Sequence, residues 1–381
     1  MISFLSHTTT LLYQRAIKPI LFRSTPDAVH SRLIRLSALR QKFPLSDSLV
    51  SLMWAYHNQA ALGQKIDGVY FPNPVGLSAG FDKSIELLPT IKAVGFGYET
   101  GGSVTFLPCE GNPRPWFYRL PTSKSLVVNV GLANDGTTTA LQRIKRYRQK
   151  VLTDFPLVMS VAKTNNPQNC SDSEAIEDYL GSLQQLKDEP RVTIVEINIS
   201  CPNAYGGEPF TDPPRLAALM KAIDGLKIAK PIWVKMPINL AWPEFDALLK
   251  IITAHNVQGV TIGNLSKDRR SETVSVELPN EVKGNLSGLP TQKLSDDLIE
   301  KTYREYGDRL TIIGVGGIFT AEDAYRKICL GANLVGLITG MIFEGPQLVG
   351  QVNRKLVELL KRDNFSTIGE AVGSAHRTPQ V

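Results

Sequence analysis

The hydrophobic pattern of the chain changes near residue 60. In the first segment, apolar residues recur at helical spacing in three pieces, which Pro19, Pro26 and Pro44 separate. Thr25 stands before Pro26 as a helix N-cap would, because its hydroxyl can accept a backbone N–H and Pro fits the first helical position. The pattern predicts an amphipathic helical extension over residues 1–60.

Beyond residue 60, short apolar runs alternate with helical patterns. The runs are PVGLSAG, YETGGSVT, LVMSVAK, TIVEINIS, PIWVKMP, GVTIGN, LTIIGVGG and LVGLITG. Repeated strand–helix units favour a closed parallel sheet, so we predict an α/β fold, a (β/α)8 TIM barrel over 61–365 with a tail over 366–381. The polar residues 265–290 follow the sixth run and predict a long loop of functional importance.

Composition is that of a folded protein. Of the 381 residues, 43% are hydrophobic and 20% are charged, which excludes collagen-like, coiled-coil and disordered chains. No apolar run reaches the length of about 18 residues that a transmembrane helix needs, so none is expected. The four cysteines show no ligand spacing for zinc or an iron–sulfur cluster, and we expect no metal.

Positive charge is concentrated at the N-terminus. Residues 1–60 carry a net charge of +5 out of +6 for the whole chain. The remainder is nearly neutral and lacks the basic surface that nucleic acid requires, so we expect no nucleic-acid partner. Two interpretations fit the basic extension: its helices enter an anionic lipid surface, or they simply pack on the body.

Residues suited to binding a phosphate follow the last predicted strands. Gly316, Gly317 and Gly340 expose backbone N–H groups where many barrels bind phosphate. Three lysines are also expected at the mouth of the barrel: Lys83, Lys163 and Lys235. Their charges would offset an anionic ring system such as a reduced flavin, so the pattern predicts a phosphate-bearing cofactor.

The segment NISCPN follows the fourth predicted strand and places Cys201 between Asn198 and Asn203. Paired carboxamides suit a flat heterocycle that carries both carbonyl and N–H groups. Cys201 itself fits either a reactive thiol or a small buried hydrophobic residue.

Taken together, several motifs resemble the dihydroorotate dehydrogenases from about residue 13 to residue 360. They are PNPVGLSAGFDK, GNPRPWFYRLP, EINISCPN, GNLSGLP, IIGVGGI and LITGMIFEGP. The run YQRAIKPILFRSTPDAVHSRL resembles the extension of the membrane-associated, quinone-using branch, which favours a role in membrane and quinone access. The resemblance implies an FMN-containing barrel that oxidises dihydroorotate to orotate in pyrimidine (UMP) biosynthesis and passes electrons to a quinone. It also implies a peripheral membrane protein on the cytoplasmic face of the bacterial inner membrane, or on the mitochondrial inner membrane of a eukaryote.

The resemblance assigns roles by position. Cys201 falls where the family has its catalytic base. The positions that resemble substrate ligands are Lys83, Asn129, Asn198, Asn203, Asn264 and Ser266. The positions that resemble flavin contacts are Ala79, Gly80, Lys83, Ser103, Lys163, Asn198, Lys235, Gly288, Gly316, Gly317, Thr339 and Gly340. His30 and Arg119 match polar positions that line the quinone tunnel.

Some residues depart from the quinone-using branch. That branch normally has Ser where this chain has Cys201, whereas Cys is typical of the soluble branch. Ile338 replaces a usual Tyr, and Leu265 replaces a Thr or Ser, so that Ser266 is expected to contact the substrate instead. Three hypotheses stay open: a quinone-dependent enzyme, the same reaction with fumarate or another soluble acceptor, and a flavin- or membrane-binding homologue without dihydroorotate turnover. Because a free thiol has a pKa near 8.5, we expect activity to rise with pH towards that value.

Overall fold

The computed structural model describes residues 8–41, 43, 45–166, 171–270, 274 and 278–377. Pro44, part of the predicted loop over 265–290 and the last residues of the predicted tail lie outside these ranges.

The elements are numbered in chain order. The strands are β1 (Gln64–Ile66), β2 (Val69–Phe71), β3 (Val75–Leu77), β4 (Tyr98–Val104), β5 (Phe117–Leu120), β6 (Ser125–Val128), β7 (Leu157–Val161), β8 (Ile194–Asn198), β9 (Ile232–Met236), β10 (Gly259–Ile262), β11 (Asn285–Gly288), β12 (Thr311–Val315) and β13 (Leu334–Leu337). The α-helices are α1 (Lys18–Phe22), α2 (Pro26–Arg40), α3 (Ser46–Trp54), α4 (Gln59–Leu62), α5 (Leu88–Val94), α6 (Thr137–Arg146), α7 (Gln149–Leu152), α8 (Asp172–Leu186), α9 (Pro213–Gly225), α10 (Trp242–Thr253), α11 (Gln292–Tyr306), α12 (Ala321–Cys329), α13 (Thr339–Glu344), α14 (Leu348–Arg362) and α15 (Ile368–Ala371). A π-helical turn, Tyr13–Ile17, precedes α1.

A closed barrel of parallel strands forms the body of the protein. Its strands are β3, β4, β7, β8, β9, β10, β12 and β13, neighbouring one another in chain order. Their side chains are almost all buried, as they must be between a filled barrel interior and an outer helical layer. These strands coincide with the eight predicted runs, so the predicted (β/α)8 TIM barrel with an N-terminal helical extension is confirmed.

Three of the described outer helices, α8, α9 and α12, begin at side-chain caps. The Ser171 hydroxyl accepts the backbone N–H of Glu174, and the Glu174 carboxylate accepts the backbone N–H of Ser171, which forms a capping box at the start of α8. From there Tyr179 and Leu183 pack on the barrel, one helical turn apart. The remaining helices of this layer bury a similar apolar stripe.

A two-residue hairpin closes the N-terminal end of the barrel. Asp67 and Gly68 connect β1 to β2 with φ angles of +49° and +81°, which is the conformation that short hairpins prefer. The Asp67 carboxylate accepts hydrogen bonds from Trp233 Nε1 (2.8 Å) and Thr311 Oγ1 (3.0 Å). Phe71 stacks on Trp233 at 6.2 Å between ring centroids. This end of the barrel is therefore filled, and ligands must bind at the other end.

A small antiparallel sheet, in the order β11-β6-β5, covers part of the open end. Its strand β11 lies within residues 265–290, so the expectation of a continuous loop there is wrong. The alternation of Asn285, Leu286, Ser287 and Gly288 is too short to distinguish from a polar loop, and pairing with β6 is what makes it a strand.

The N-terminal extension packs on the barrel with one face and exposes apolar residues on another. The Thr25 hydroxyl accepts the N–H of Ala28, which confirms the predicted N-cap of α2. Val29 is buried, whereas Leu36, Leu45 and Leu52 are 60%, 81% and 72% exposed. The packing interpretation thus holds for the inner face of the segment, whereas entry into a lipid surface stays a prediction. Among the helices in the described ranges, none combines the length and the hydropathy needed to cross a membrane.

Gly350 allows the extension to approach the barrel layer closely, and we predict that Gly350→Ala destabilises the protein. A Cβ atom at Gly350 in α14 would lie 1.8 Å from the carbonyl oxygen of Trp54, where α3 ends. The forced shift should cost about 1–3 kcal/mol, seen as a lower unfolding temperature in differential scanning calorimetry. Gly225→Ala in α9 meets no atom within 4 Å and serves as the control. An unchanged unfolding temperature for Gly350→Ala would show that α3 is not tightly packed.

Candidate active site

A cavity of about 740 Å³ extends from the open end of the barrel to the N-terminal helices. At the barrel end its wall includes polar side chains such as Lys83, Cys201 and Lys235. At the other end it is lined by apolar residues of the extension, among them Leu12 and Met53. One continuous space therefore connects a polar site with an apolar passage.

Most residues singled out from the sequence line this cavity. They are His30, Ala79, Gly80, Lys83, Ser103, Arg119, Asn198, Cys201, Asn203, Lys235, Asn264, Gly288, Gly316, Gly317, Thr339 and Gly340. Asn129, Lys163 and Ser266 are not part of its wall. Lys163 borders a small hollow behind Cys201 and donates to the carbonyl of Tyr205 at 3.2 Å. Ser266 is buried, and its hydroxyl accepts the N–H of Asp268 at 3.2 Å.

Lys83 carries a buried charge that the described residues leave without a hydrogen bond. Its ammonium nitrogen is inaccessible and has no hydrogen-bond partner. It lies 5.2 Å from the ring centroid of Phe117 and 6.0 Å from that of Trp116. Burial lowers the pKa of Lys83 to about 8, although the carboxylates of Asp82 and Asp27 oppose this change. An unpaired buried cation is costly, so this position is suited to binding an anion.

Cys201 lies in the loop that follows β8. Burial raises the pKa of the Cys201 thiol to about 11, while a backbone hydrogen bond from Asn203 and the positive charge of Lys235 oppose the increase. The expected pKa near 8.5 is therefore wrong for this site. Any activity that requires the thiolate should rise with pH towards about 11 instead.

Hydrogen bonds fix the carboxamides around Cys201. The Asn198 amide donates to the Ser103 hydroxyl at 2.8 Å, and Ser103 is in turn 2.8 Å from Ser160 Oγ. The Asn264 amide donates to the Ser200 hydroxyl at 2.7 Å. These bonds determine which face of each amide group is turned to the cavity.

Two further asparagines support the site, although the sequence did not single them out. The Asn112 amide donates to Asn129 Oδ1 (3.0 Å) and to the carbonyl of Asn203 (3.2 Å). The Asn285 amide donates to Asn203 Oδ1 at 2.8 Å. Both belong to motifs that carry the family resemblance, GNPRPWFYRLP and GNLSGLP. Asn129 thus lies behind the cavity wall, in the network that positions Asn203.

Glycines after β12 and β13 form a surface that could not carry side chains. Gly316 and Gly317 have φ angles of +116° and +66°, which favour glycine. A Cβ atom at Gly340 would lie 1.9 Å from the carbonyl oxygen of Ile318, and one at Gly317 would lie 2.3 Å from Gln292 Cβ. The backbone itself therefore faces the cavity here, which suits a phosphate group.

The passage towards the extension contains few polar groups. His30 Nε2 lies 2.8 Å from the carbonyl oxygen of Phe81, so this nitrogen carries the proton. Burial and the charge of Lys83 lower the pKa of His30 to about 4, which leaves it neutral near pH 7. Arg119 donates to the carbonyl of Ser24 at 2.7 Å, and its guanidinium carbon lies 4.4 Å from the ring centroid of Phe22.

Known proteins resemble this chain in sequence and in architecture. The sequence profile of the family described as dihydroorotate dehydrogenase matches residues 61–360. The chain belongs to the dihydroorotate dehydrogenase family. It is therefore an oxidoreductase of that family, whose members use a flavin cofactor.

Relatives of this dihydroorotate dehydrogenase family member match almost all of its length. The dihydroorotate dehydrogenase (quinone) of Nostoc punctiforme is 33% identical over 375 residues, covering 95% of this chain and 98% of that protein. The one from Deinococcus deserti is 32% identical over 372 residues, covering 95% and 99%. The crystal structure of the Eimeria tenella enzyme, DHODH in complex with ferulenol, has a TM-score of 0.79 at 24% identity and covers 93% of this chain and 96% of that one. The last likeness shows the fold.

We predict that Lys235→Gln slows alkylation of Cys201 by iodoacetamide. Only the thiolate reacts, and loss of the positive charge of Lys235 raises the thiol pKa further. The rate at pH 9 should fall by roughly threefold or more, followed by mass spectrometry of the peptide that contains Cys201. Cys329 in the same digest is the internal control. Equal rates for Cys201 in the two proteins would contradict the electrostatic coupling.

Proposed function

We propose that the protein oxidises dihydroorotate to orotate in pyrimidine biosynthesis, with FMN as its cofactor, Cys201 as the base and a quinone as the electron acceptor. The observation that carries the proposal is the continuous cavity, which joins a polar site at the barrel mouth to an apolar passage between the N-terminal helices. Support also comes from the full-length relatives named dihydroorotate dehydrogenase (quinone).

The residues at the barrel mouth fit FMN. The bare backbone at Gly316, Gly317 and Gly340 suits its phosphate, and Lys235 supplies positive charge for a reduced ring. Further contacts are assigned to residues of the cavity wall, namely Ala79, Gly80, Lys83, Ser103, Asn198, Gly288 and Thr339. The family resemblance also assigns Lys163, although its ammonium donates to the Tyr205 carbonyl outside that wall. When bound, FMN supplies an acceptor for the substrate hydride and a donor of electrons to the second substrate.

Lys83 and the carboxamides bind the pyrimidine in this proposal. The substrate carboxylate would provide the anion that the buried Lys83 ammonium lacks. Asn198, Asn203 and Asn264 would recognise the ring carbonyl and N–H groups, each held by the hydrogen bonds described above. Asn129 would act behind them through Asn112, and Ser266 by fixing the loop after β10.

Cys201 would remove the proton from C5 of dihydroorotate. Because the thiol pKa is about 11, roughly one molecule in a thousand carries the thiolate at pH 8. Lys235 and the N–H of Asn203 both favour the thiolate, so they raise this fraction rather than lower it. The rate of flavin reduction at saturating dihydroorotate is therefore expected to increase with pH over the range in which the fold remains intact.

The N-terminal extension would bind the membrane and admit the quinone. Its exposed leucines and its arginines suit the headgroup layer of an anionic bilayer, and its inner face lines the apolar end of the cavity. His30 and Arg119 would provide the polar contacts for a quinone. We place the protein on the cytoplasmic face of the bacterial inner membrane, or on the mitochondrial inner membrane of a eukaryote.

A second candidate keeps the reaction and replaces the quinone by fumarate or another soluble acceptor. Cys201 favours it, because Cys at this position is typical of the soluble branch. Ile338 also favours it, since the cavity wall there has no hydroxyl group to bind a quinone.

Anaerobic stopped-flow absorbance tests the acceptor. Dihydroorotate should bleach the flavin of the purified protein, and a short-chain ubiquinone should restore its colour faster than fumarate does. Recovery with fumarate alone would establish the second candidate. Failure of dihydroorotate to bleach the flavin would overturn both, and would limit the relationship to the fold.

Stopped-flow absorbance also tests the role of Cys201 as the base. Cys201→Ala should slow flavin reduction by roughly 10²- to 10⁴-fold, the usual contribution of a positioned base, while FMN remains bound. Cys201→Ser replaces the thiol by a slightly smaller hydroxyl and should retain part of the rate. Normal reduction by Cys201→Ala would remove Cys201 from the mechanism.

A further inference from the structure

Asp27 in the N-terminal extension is placed against the segment that covers Lys83. It lies in the first turn of α2, where an acidic residue usually interacts with the helix N-terminus. That N-terminus is already capped by Thr25. The carboxylate of Asp27 instead accepts hydrogen bonds from the backbone N–H of Trp116 (3.2 Å) and of Phe117 (3.3 Å).

These two backbone groups belong to the aromatic residues that face the Lys83 ammonium. The ring centroids of Phe117 and Trp116 lie 5.2 and 6.0 Å from Lys83 Nζ. The Asp27 side chain is only 11% exposed, so its charge acts through a poorly hydrated region. Asp27 therefore holds the rings over the ammonium and supplies a carboxylate charge near it.

Trp116, which Asp27 contacts, is also hydrogen-bonded to asparagines of the site. The carbonyl of Trp116 accepts the N–H of Asn129 at 2.8 Å, and its indole N–H donates to the carbonyl of Asn112 at 2.6 Å. Asn112 in turn donates to the carbonyl of Asn203. A displacement of the Trp116 backbone would thus be transmitted to two sides of the pyrimidine site.

We propose that Asp27 is a positioning residue for pyrimidine binding, by which the N-terminal extension keeps Lys83 charged and in place. The proposal rests on the proposed function, because it assumes that Lys83 binds the substrate carboxylate. The extension then forms part of the substrate site, in addition to the passage for the acceptor.

The charged groups around Lys83 determine whether a substitution raises or lowers the pKa of Lys83. Asp82 on the same loop and Asp27 on α2 favour the ammonium form. Arg114 disfavours it, although Arg114 also pairs with Asp27 at 3.3 Å. His30 on α2 is neutral near pH 7, so it contributes no charge there.

Lys83 must be protonated to bind an anion, which gives a test by pH. The dissociation constant of orotate should be constant below the pKa of Lys83 in the free protein, about 8, and should increase above it. Loss of the Asp27 charge lowers that pKa, so the increase should begin at lower pH. Loss of the Arg114 charge raises it, so the increase should begin at higher pH.

The measurement is isothermal titration calorimetry of orotate into the purified flavoprotein from pH 6.5 to 9.5 at constant ionic strength. For Asp27→Asn the rise should begin roughly half a unit to one unit lower than in the unmodified protein, so that binding at pH 8.5 is about threefold to tenfold weaker. For Arg114→Gln the rise should begin at higher pH than in the unmodified protein. Titration of orotate itself is common to all variants and cancels in the comparison.

Two further variants separate the charge of Asp27 from its packing. Asp27→Glu restores the charge and should move the profile back towards that of the unmodified protein. Asp47→Asn removes another carboxylate of the extension, one that pairs with Arg40 and is not among the charges that act on Lys83, and should leave the profile unchanged.

The outcomes distinguish the two proposals. Equal weakening at every pH in Asp27→Asn, without a shift of the profile, would reduce Asp27 to a structural residue and overturn this inference alone. Shifts of the same sign in Asp27→Asn and Arg114→Gln would also overturn it. Failure of the unmodified protein to bind orotate at any pH would overturn the proposed function and the inference together.

Discussion

A positive charge held inside the protein imposes the main constraint on this structure. The Lys83 ammonium is inaccessible to water and lacks a hydrogen bond among the described residues. Such a group stays charged only if carboxylates lie near it, and a loop and a helix must converge to provide them. The loop after β3 supplies Asp82 and α2 supplies Asp27, while β5 contributes the aromatic ring of Phe117. The arrangement of the open end of the barrel follows from this convergence.

The extension and the barrel are joined by contacts that serve both. On its outer side the extension exposes leucines, and on its inner side it completes the wall of the cavity. The close approach of Trp54 to Gly350 fixes α3 against the barrel layer. A helical segment that the sequence pattern sets apart as an extension is therefore structurally continuous with the site.

The sequence predicted the elements whose signals are local and strong. All eight barrel strands were found because buried parallel strands are continuous apolar runs, and Thr25 with Pro26 marked the start of α2. The strand β11 was missed because four alternating residues carry too weak a signal, and its pairing with β6 depends on distant residues.

The unusual pKa of Cys201 could not be predicted from the sequence either, since burial of the thiol depends on how several loops meet. Most of the positions that the family resemblance assigned line one cavity. The resemblance did not indicate the hydrogen bonds by which Asn112 and Asn285 support Asn203.

The filled end of the barrel separates two demands on the sequence. The hairpin with Asp67 and the ring of Phe71 against Trp233 keep that end closed without any part in ligand contact. The groups that line the cavity lie at the opposite end, mostly on loops and strand termini. The stability of the barrel and the properties of the cavity thus depend on different residues, which lie about one strand length apart. A lineage of such proteins can exchange acceptors by changing one end while the other end preserves the scaffold.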